Sequence, residues 1–138
     1  MDAYRFSTDA AELDRERVHR WLSEESYWAK GRSRGTQDAA IDGSRNYGLY
    51  ACGSGEQVAY ARVVTDGATF AWLCDVFVAA GARGLGAGKQ LISGVLADLD
   101  RLNLRRVLLA THDAHGLYRQ FGFTELADPS IWMVRGAG

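Results

Sequence analysis

Leu91, Ile92, Val95, Leu96 and Leu99 fall at i, i+1, i+4, i+5 and i+8, the stripe of a helix with one buried face. Shorter apolar runs precede it. Residues 4–7, 47–51, 57–64 and 69–78 read as strands, rich in aromatic and β-branched side chains and bounded by turn residues. Gly53-Ser54-Gly55 and Asp66-Gly67 are tight enough to make antiparallel neighbours of the last three. After the helix, residues 107–110 are continuously apolar and predict a central strand buried on both faces. Strand 69–78, helix and strand 107–110 then form a right-handed parallel crossover. Near the start, Leu13, Val18, Trp21 and Leu22 lie close to one face of a first helix capped by Thr8 or Asp9. Thr36 caps a short second helix over 36–41, stopped by Gly43, and 26–34 is an aromatic, basic loop or broken helix. Residues 115–121 form a short helix ended by Gly122, and 123–126 and 131–134 are expected to close the sheet as strands. The order, antiparallel strands and then a crossover, gives one α+β domain over residues 1–138.

Composition narrows the class without changing that reading. Hydrophobic residues make up 47% and charged residues 24%, ample for one core. Sixteen lysines and arginines against seventeen acids leave a net charge of −1, so no general attraction to nucleic acid or an anionic membrane is expected. No apolar run approaches the ~20 residues that span a bilayer. The first residues lack the basic-then-apolar order of a signal peptide, and the expectation is a soluble, cytoplasmic protein. Cys52 and Cys74 have no metal-ligand spacing and read as two small buried thiols.

The candidate chemistry begins at Arg83-Gly84-Leu85-Gly86-Ala87-Gly88-Lys89, a glycine-rich turn between a strand and a helix start. Bare backbone N–H groups and the positive end of a helix dipole make an anion cradle, and a phosphate-bearing ligand suits it. A P-loop is excluded: Arg83 stands where its first glycine belongs, and Gln90 where its magnesium-binding hydroxyl belongs. A dinucleotide fingerprint read from Gly84 ends on Lys89 in place of glycine.

Arg83-Gly84-Leu85-Gly86-Ala87-Gly88 instead matches Arg/Gln-x-x-Gly-x-Gly/Ala, the pyrophosphate signature of the GNAT superfamily of acetyl-CoA-dependent N-acetyltransferases. Asp75-Val76-Phe77-Val78 resembles the end of that family's fourth strand, and Leu117-Tyr118-Arg119-Gln120-Phe121-Gly122-Phe123 its Leu-Tyr-x-x-x-Gly-Phe segment. The resemblance spans residues 47–133. It implies a mostly antiparallel sheet of about six to seven strands with flanking helices, and transfer of acetyl from acetyl-CoA to an amine. It also implies cofactor contacts at Arg83, Gly84, Leu85, Gly86, Ala87, Gly88 and Lys89, and at Phe77 and Val78, where the strand splays and one N–H polarises the thioester carbonyl. Tyr118 is implied as a cofactor contact and as proton donor to the departing thiolate.

Asp75, a carboxylate among apolar neighbours, is a candidate general base. Alternation puts it on the face of Leu73 and Phe77, and the plainer reading is an ion pair with Arg62. Acceptor contacts are expected from Trp28, Trp72, Arg62 and Asp75. Aromatic walls with Lys30, Arg32, Arg34 and Arg45 nearby suit an amine carrying a carboxylate, while Glu24, Glu25, Asp38 and Asp42 equally suit a polyamine. His112 and His115 flank Asp113, read as a helix cap, and His19 is expected on the surface; no metal is called for. The expected activity is acetylation of a small primary amine. Acetylation of a protein or peptide amine, or acyl-CoA binding without catalysis by a sensor or partner subunit, are the alternatives. Ile131, Trp132 and Met133 suit either a homodimer edge or an ordinary closing strand.

Overall fold

The computed structural model describes residues 3–136. Five strands, β1 (Tyr4–Ser7), β2 (Arg45–Ala51), β3 (Gln57–Thr65), β4 (Phe70–Val78) and β5 (Arg106–Leu108), lie in one sheet in that order. The first four are antiparallel neighbours, and β4 and β5 are parallel across the helix α3 (Ala87–Asp100). The other helices are α1 (Arg15–Arg20), continued by a π-turn to Glu25, α2 (Arg34–Asp42) and α4 (His115–Arg119).

Two cores cover the two sheet faces. Leu91, Ile92, Val95 and Leu99 of α3 pack against Leu49, Ala61, Val63 and Leu73. Val18, Trp21, Leu22 and Ile41 pack against Tyr60 and Phe77 on the other face. Tyr60 and Ala61 thus serve opposite cores from adjacent positions of β3, as a pleated strand requires. Gly94 lets α3 approach β1: a β-carbon there would lie 2.5 Å from Cε1 of Phe6. At the far end of α3, Asp98 accepts from the Tyr47 hydroxyl at 2.7 Å and pairs with Arg45 and Arg101.

Alternation fails at one place, and the site depends on it. Tyr60 opposes Phe77 and Arg62 opposes Cys74, so Asp75 and Val76 together face Ala61. Asp75 takes up the extra residue with φ of 53°, a left-handed conformation uncommon for a non-glycine residue. The bulge reverses the pleat. Leu73 and Val76 belong to the α3 core, Phe77 to the opposite one, so Leu73 and Phe77 do not share a face.

Other expectations need correction. The sheet has five strands among the described residues, not six or seven, because 123–126 and 131–134 pair with nothing. Pro129 starts a 3-10 turn through Ile131, and Ile131, Met133 and Val134 stay exposed; apolar letters give no strand without a ladder partner. Residues 107–109 are consequently half-buried at an edge and not in the sheet centre. Ser33, not Thr36, caps α2, and Asp14 caps α1 while Asp9 caps only a preceding 3-10 turn. Cys52 is exposed.

Candidate active site

The β4–β5 ladder ends at the pair Trp72–Leu108. Beyond it the strands part, and a cleft of about 950 Å³ opens between residues 73–78 and residues 109–111. The Ala79 amide donates to Val58 on β3 at 2.8 Å, so alternation turns the N–H and C=O of Val78 toward the cleft.

The glycine turn closes one end. Arg83 Nε donates to the Val78 carbonyl at 3.0 Å and its guanidinium lies 5.3 Å from the Phe77 ring centre, fastening the turn to the end of β4. Gly86 caps α3 at φ of 80°, and the first intrahelical bond of α3 runs from Gln90 N to Gly86 O, so the amides of residues 87–89 keep no helix partner. A β-carbon on Gly84 or Gly86 would meet nothing within 4 Å, so the space beside these two glycines is open. One on Gly88 would touch Val78 and Leu117, which places the first turn of α3 against the cleft wall. Of the seven turn residues expected to hold the cofactor only Arg83 lines the cleft itself: Gly84, Leu85, Gly86 and Lys89 are exposed beside it, Gly88 is half-buried and Ala87 is buried in the α3 core.

Tyr118 of α4 is buried, with its ring edge-on to Phe123, and lies between the cleft and a second cavity of about 410 Å³ beyond β5. Burial pushes its hydroxyl up to about 12, so the phenol holds its proton throughout the neutral range.

The opposite wall carries the four expected acceptor residues, Trp28, Arg62, Trp72 and Asp75, together with Arg32. Asp75, thrown onto this face by the bulge, is 3% exposed. Its Oδ2 accepts from Arg32 Nη1 at 2.7 Å and Arg62 Nε at 2.8 Å; its Oδ1 accepts from Trp28 Nε1 at 3.0 Å and Arg32 Nη2 at 3.3 Å. Burial pushes the carboxyl up, but the bonds and charges of the two arginines outweigh it and hold the group below the ordinary carboxylate range. Cys74 beside it is pushed up to about 11 by burial and stays a thiol.

Two contacts carry no sequence signal. The Tyr27 hydroxyl accepts from the His112 amide at 3.1 Å with the rings 4.9 Å apart, joining the segment after α1 to the segment after β5 across the cleft. His19 Nε2 donates to the Arg32 carbonyl at 2.7 Å, so this histidine braces the same segment and is not merely a surface residue. Asp113 is no cap, since Thr111 Oγ accepts the Ala114 amide. Asp38 and Asp42 pair with Arg15, Asp38 also with Arg34, and Arg45 pairs with Asp98, so these charges are spent away from the cleft.

The sequence profile of the acetyltransferase (GNAT) family matches residues 15–123. The chain belongs to that family. A candidate acetyltransferase of Gibberella zeae is 31% identical, with 98% of this chain and 90% of that one covered. Among solved structures, a candidate GNAT acetyltransferase of Xanthomonas campestris pv. campestris is 44% identical and superposes with a TM-score of 0.93, covering 99% of this chain and 95% of that one. A Mycobacterium tuberculosis protein solved with CoA shares the fold at 16% identity and a TM-score of 0.73, covering 88% of this chain and 72% of that one. Acetyltransferase activity in general is therefore that of this family and of this chain as its member. No helix among the described residues is long and apolar enough to cross a membrane.

Proposed function

We propose that the protein transfers the acetyl group of acetyl-CoA to the primary amine of a small molecule inside the β4–β5 cleft. The observation that carries this reading is one cleft lined by a buried, protonated tyrosine, a polar aromatic wall and Arg83, with the open N-terminus of α3 packed behind its Val78 and Leu117 wall. The residues fit the coenzyme: the amides of 87–89 and the left-handed glycines 84 and 86 would hold pyrophosphate, with Arg83 beside them. The Val78 N–H, turned to the cleft, would polarise the carbonyl.

Bound acetyl-CoA supplies an activated acetyl thioester. Tyr118 gives its proton to the sulfur as the acceptor nitrogen bonds to the acetyl carbon and the C–S bond breaks, and the proton that the nitrogen then sheds to become a neutral amide restores the phenol. Asp75 serves in this reading as a positioning residue. A carboxylate that already accepts four hydrogen bonds and lies below its usual range takes up a proton poorly, so the acceptor ammonium loses its proton to solvent. The Tyr27–His112 bridge favours a small acceptor over a protein chain laid along an open groove.

Thermal melting with acetyl-CoA, CoA and ATP tests the cofactor half of the reading. A ligand at 100 times its Kd stabilises by about 2.7 kcal/mol. A rise in Tm with acetyl-CoA and CoA but not ATP supports the site; no rise with either CoA species rejects it. Thiol release across an amine panel then tests transfer.

A further inference from the structure

Resting on the acetyltransferase reading above, we propose that the acceptor is an amine that carries a carboxylate, and that the Arg32–Arg62 pair receives it. Three charged groups form the inner wall of the acceptor side: Arg32, Arg62 and Asp75, their side chains 19%, 15% and 2% exposed. Two cations face one anion, so the wall keeps one positive charge that solvent screens weakly.

Asp75 cannot absorb that excess, because both its oxygens are engaged and they engage the two arginines jointly. Arg62 spends Nε on Asp75 and Nη1 on Ser44, and Nη2 has no side-chain or backbone acceptor among the described residues. Arg32 spends Nη1 on Asp75 and Gln37, Nη2 on Asp75, and keeps Nε. Planar guanidinium edges with spare donors match a carboxylate, and a singly charged group balances the wall. Trp28, fixed by its bond to Asp75, and Trp72 supply apolar surface for the body of such a molecule.

The remaining charged groups on the cleft lie elsewhere. Glu25 and Asp113 are exposed at its mouth, and Arg83 is at the coenzyme end. A polyamine would set a second ammonium against two guanidiniums. Of the four acids that suit one, Asp38 and Asp42 are occupied by Arg15 and Arg34, Glu24 does not line the cleft, and Glu25 lines it only as an exposed residue outside the buried wall. The buried wall thus favours the carboxylated of two acceptor classes that composition leaves equal.

The experiment is a matched-pair acceptor screen with acetyl-CoA, followed as thiol release: phenylalanine against phenethylamine, tyrosine against tyramine, arginine against agmatine, lysine against cadaverine. The expected result is a kcat/KM at least tenfold higher for the carboxylated member of a pair. Arg62→Met should raise KM for that acceptor at least tenfold, Arg62→Lys less, and both should keep the melting shift given by acetyl-CoA, which shows that they fold and bind the donor. Equal or better turnover of the decarboxylated amines overturns the proposal. So does turnover of phosphoethanolamine above β-alanine, or acetyl-CoA binding with no turnover of any carboxylated amine. Loss of the acetyl-CoA melting shift in the parent protein instead removes the acetyltransferase reading itself.

Discussion

Arg32 and Asp75 stand 43 residues apart in the chain and meet at 2.7 Å, the guanidinium on a loop and the carboxylate on a strand bulge. The pair fixes the segment carrying Tyr27 and Trp28 over the cleft, and Arg62 completes it from β3.

Asp75→Asn should therefore act on stability first. It leaves two largely buried guanidiniums without their shared counter-charge, a loss on the order of 3 kcal/mol. Urea denaturation measures it. A variant as stable as the parent that has lost turnover would return Asp75 to the role of base.

The same pair sets an acid limit. The folded-state carboxyl of Asp75 lies below its ordinary value, so its contribution is present above the unfolded pKa of about 3.9 and is lost as pH falls through the folded value. Asp98, depressed by its bond from Tyr47 and its arginines against the effect of burial, acts in the same direction. Unfolding free energy should fall below pH ~4, and less steeply in Asp75→Asn than in the parent.

Tyr118→Phe should lower kcat by about 100-fold with KM for acetyl-CoA unchanged, because only the proton transfer is lost. Since burial holds the phenol near 12, kcat of the parent should show no alkaline loss from this group up to pH 10. An unchanged kcat in the variant removes Tyr118 from the chemistry.

Gly88→Ala separates binding from folding. Its β-carbon would meet only Leu117 Cδ2 at 3.8 Å and Val78 Cγ2 at 3.9 Å, ordinary contacts, and alanine suits a helix better than glycine by up to about 1 kcal/mol. The melting temperature should hold or rise while CoA affinity, by titration calorimetry, falls about tenfold. Retained affinity would mean that this amide does not face pyrophosphate.

Gly94→Ala tests the fold alone. The new methyl would lie 2.5 Å from Phe6, and overpacking of this kind costs about 1–3 kcal/mol. Adding Phe6→Leu should recover part of it in the same denaturation assay.

Local information was enough for much of this protein. The stripe from Leu91 to Leu99, the turns at Gly55 and Gly67 and the glycines ahead of α3 are patterns in which neighbouring residues decide the backbone, and all appear as helix, hairpins and an open helix start. Tyr118 and the residues expected to meet an acceptor, Trp28, Arg62, Trp72 and Asp75, were legible as chemistry and do line one cleft. Partnership was not legible. Residues 123–126 and 131–134 have strand composition, but a strand exists only against another, and none among the described residues accepts them. The bulge at Asp75 arises from a register between β3 and β4 that strict alternation cannot foresee, and it alone turns the carboxylate toward Arg62 and away from the α3 core. Arg32 is one basic residue among several in its loop until the tertiary structure brings it to Asp75. The sequence determined the family and the glycine-rich turn that opens α3, because those rest on contiguous backbone; the polar wall around Asp75 rests on ion pairs between distant segments, whose geometry only the folded chain sets.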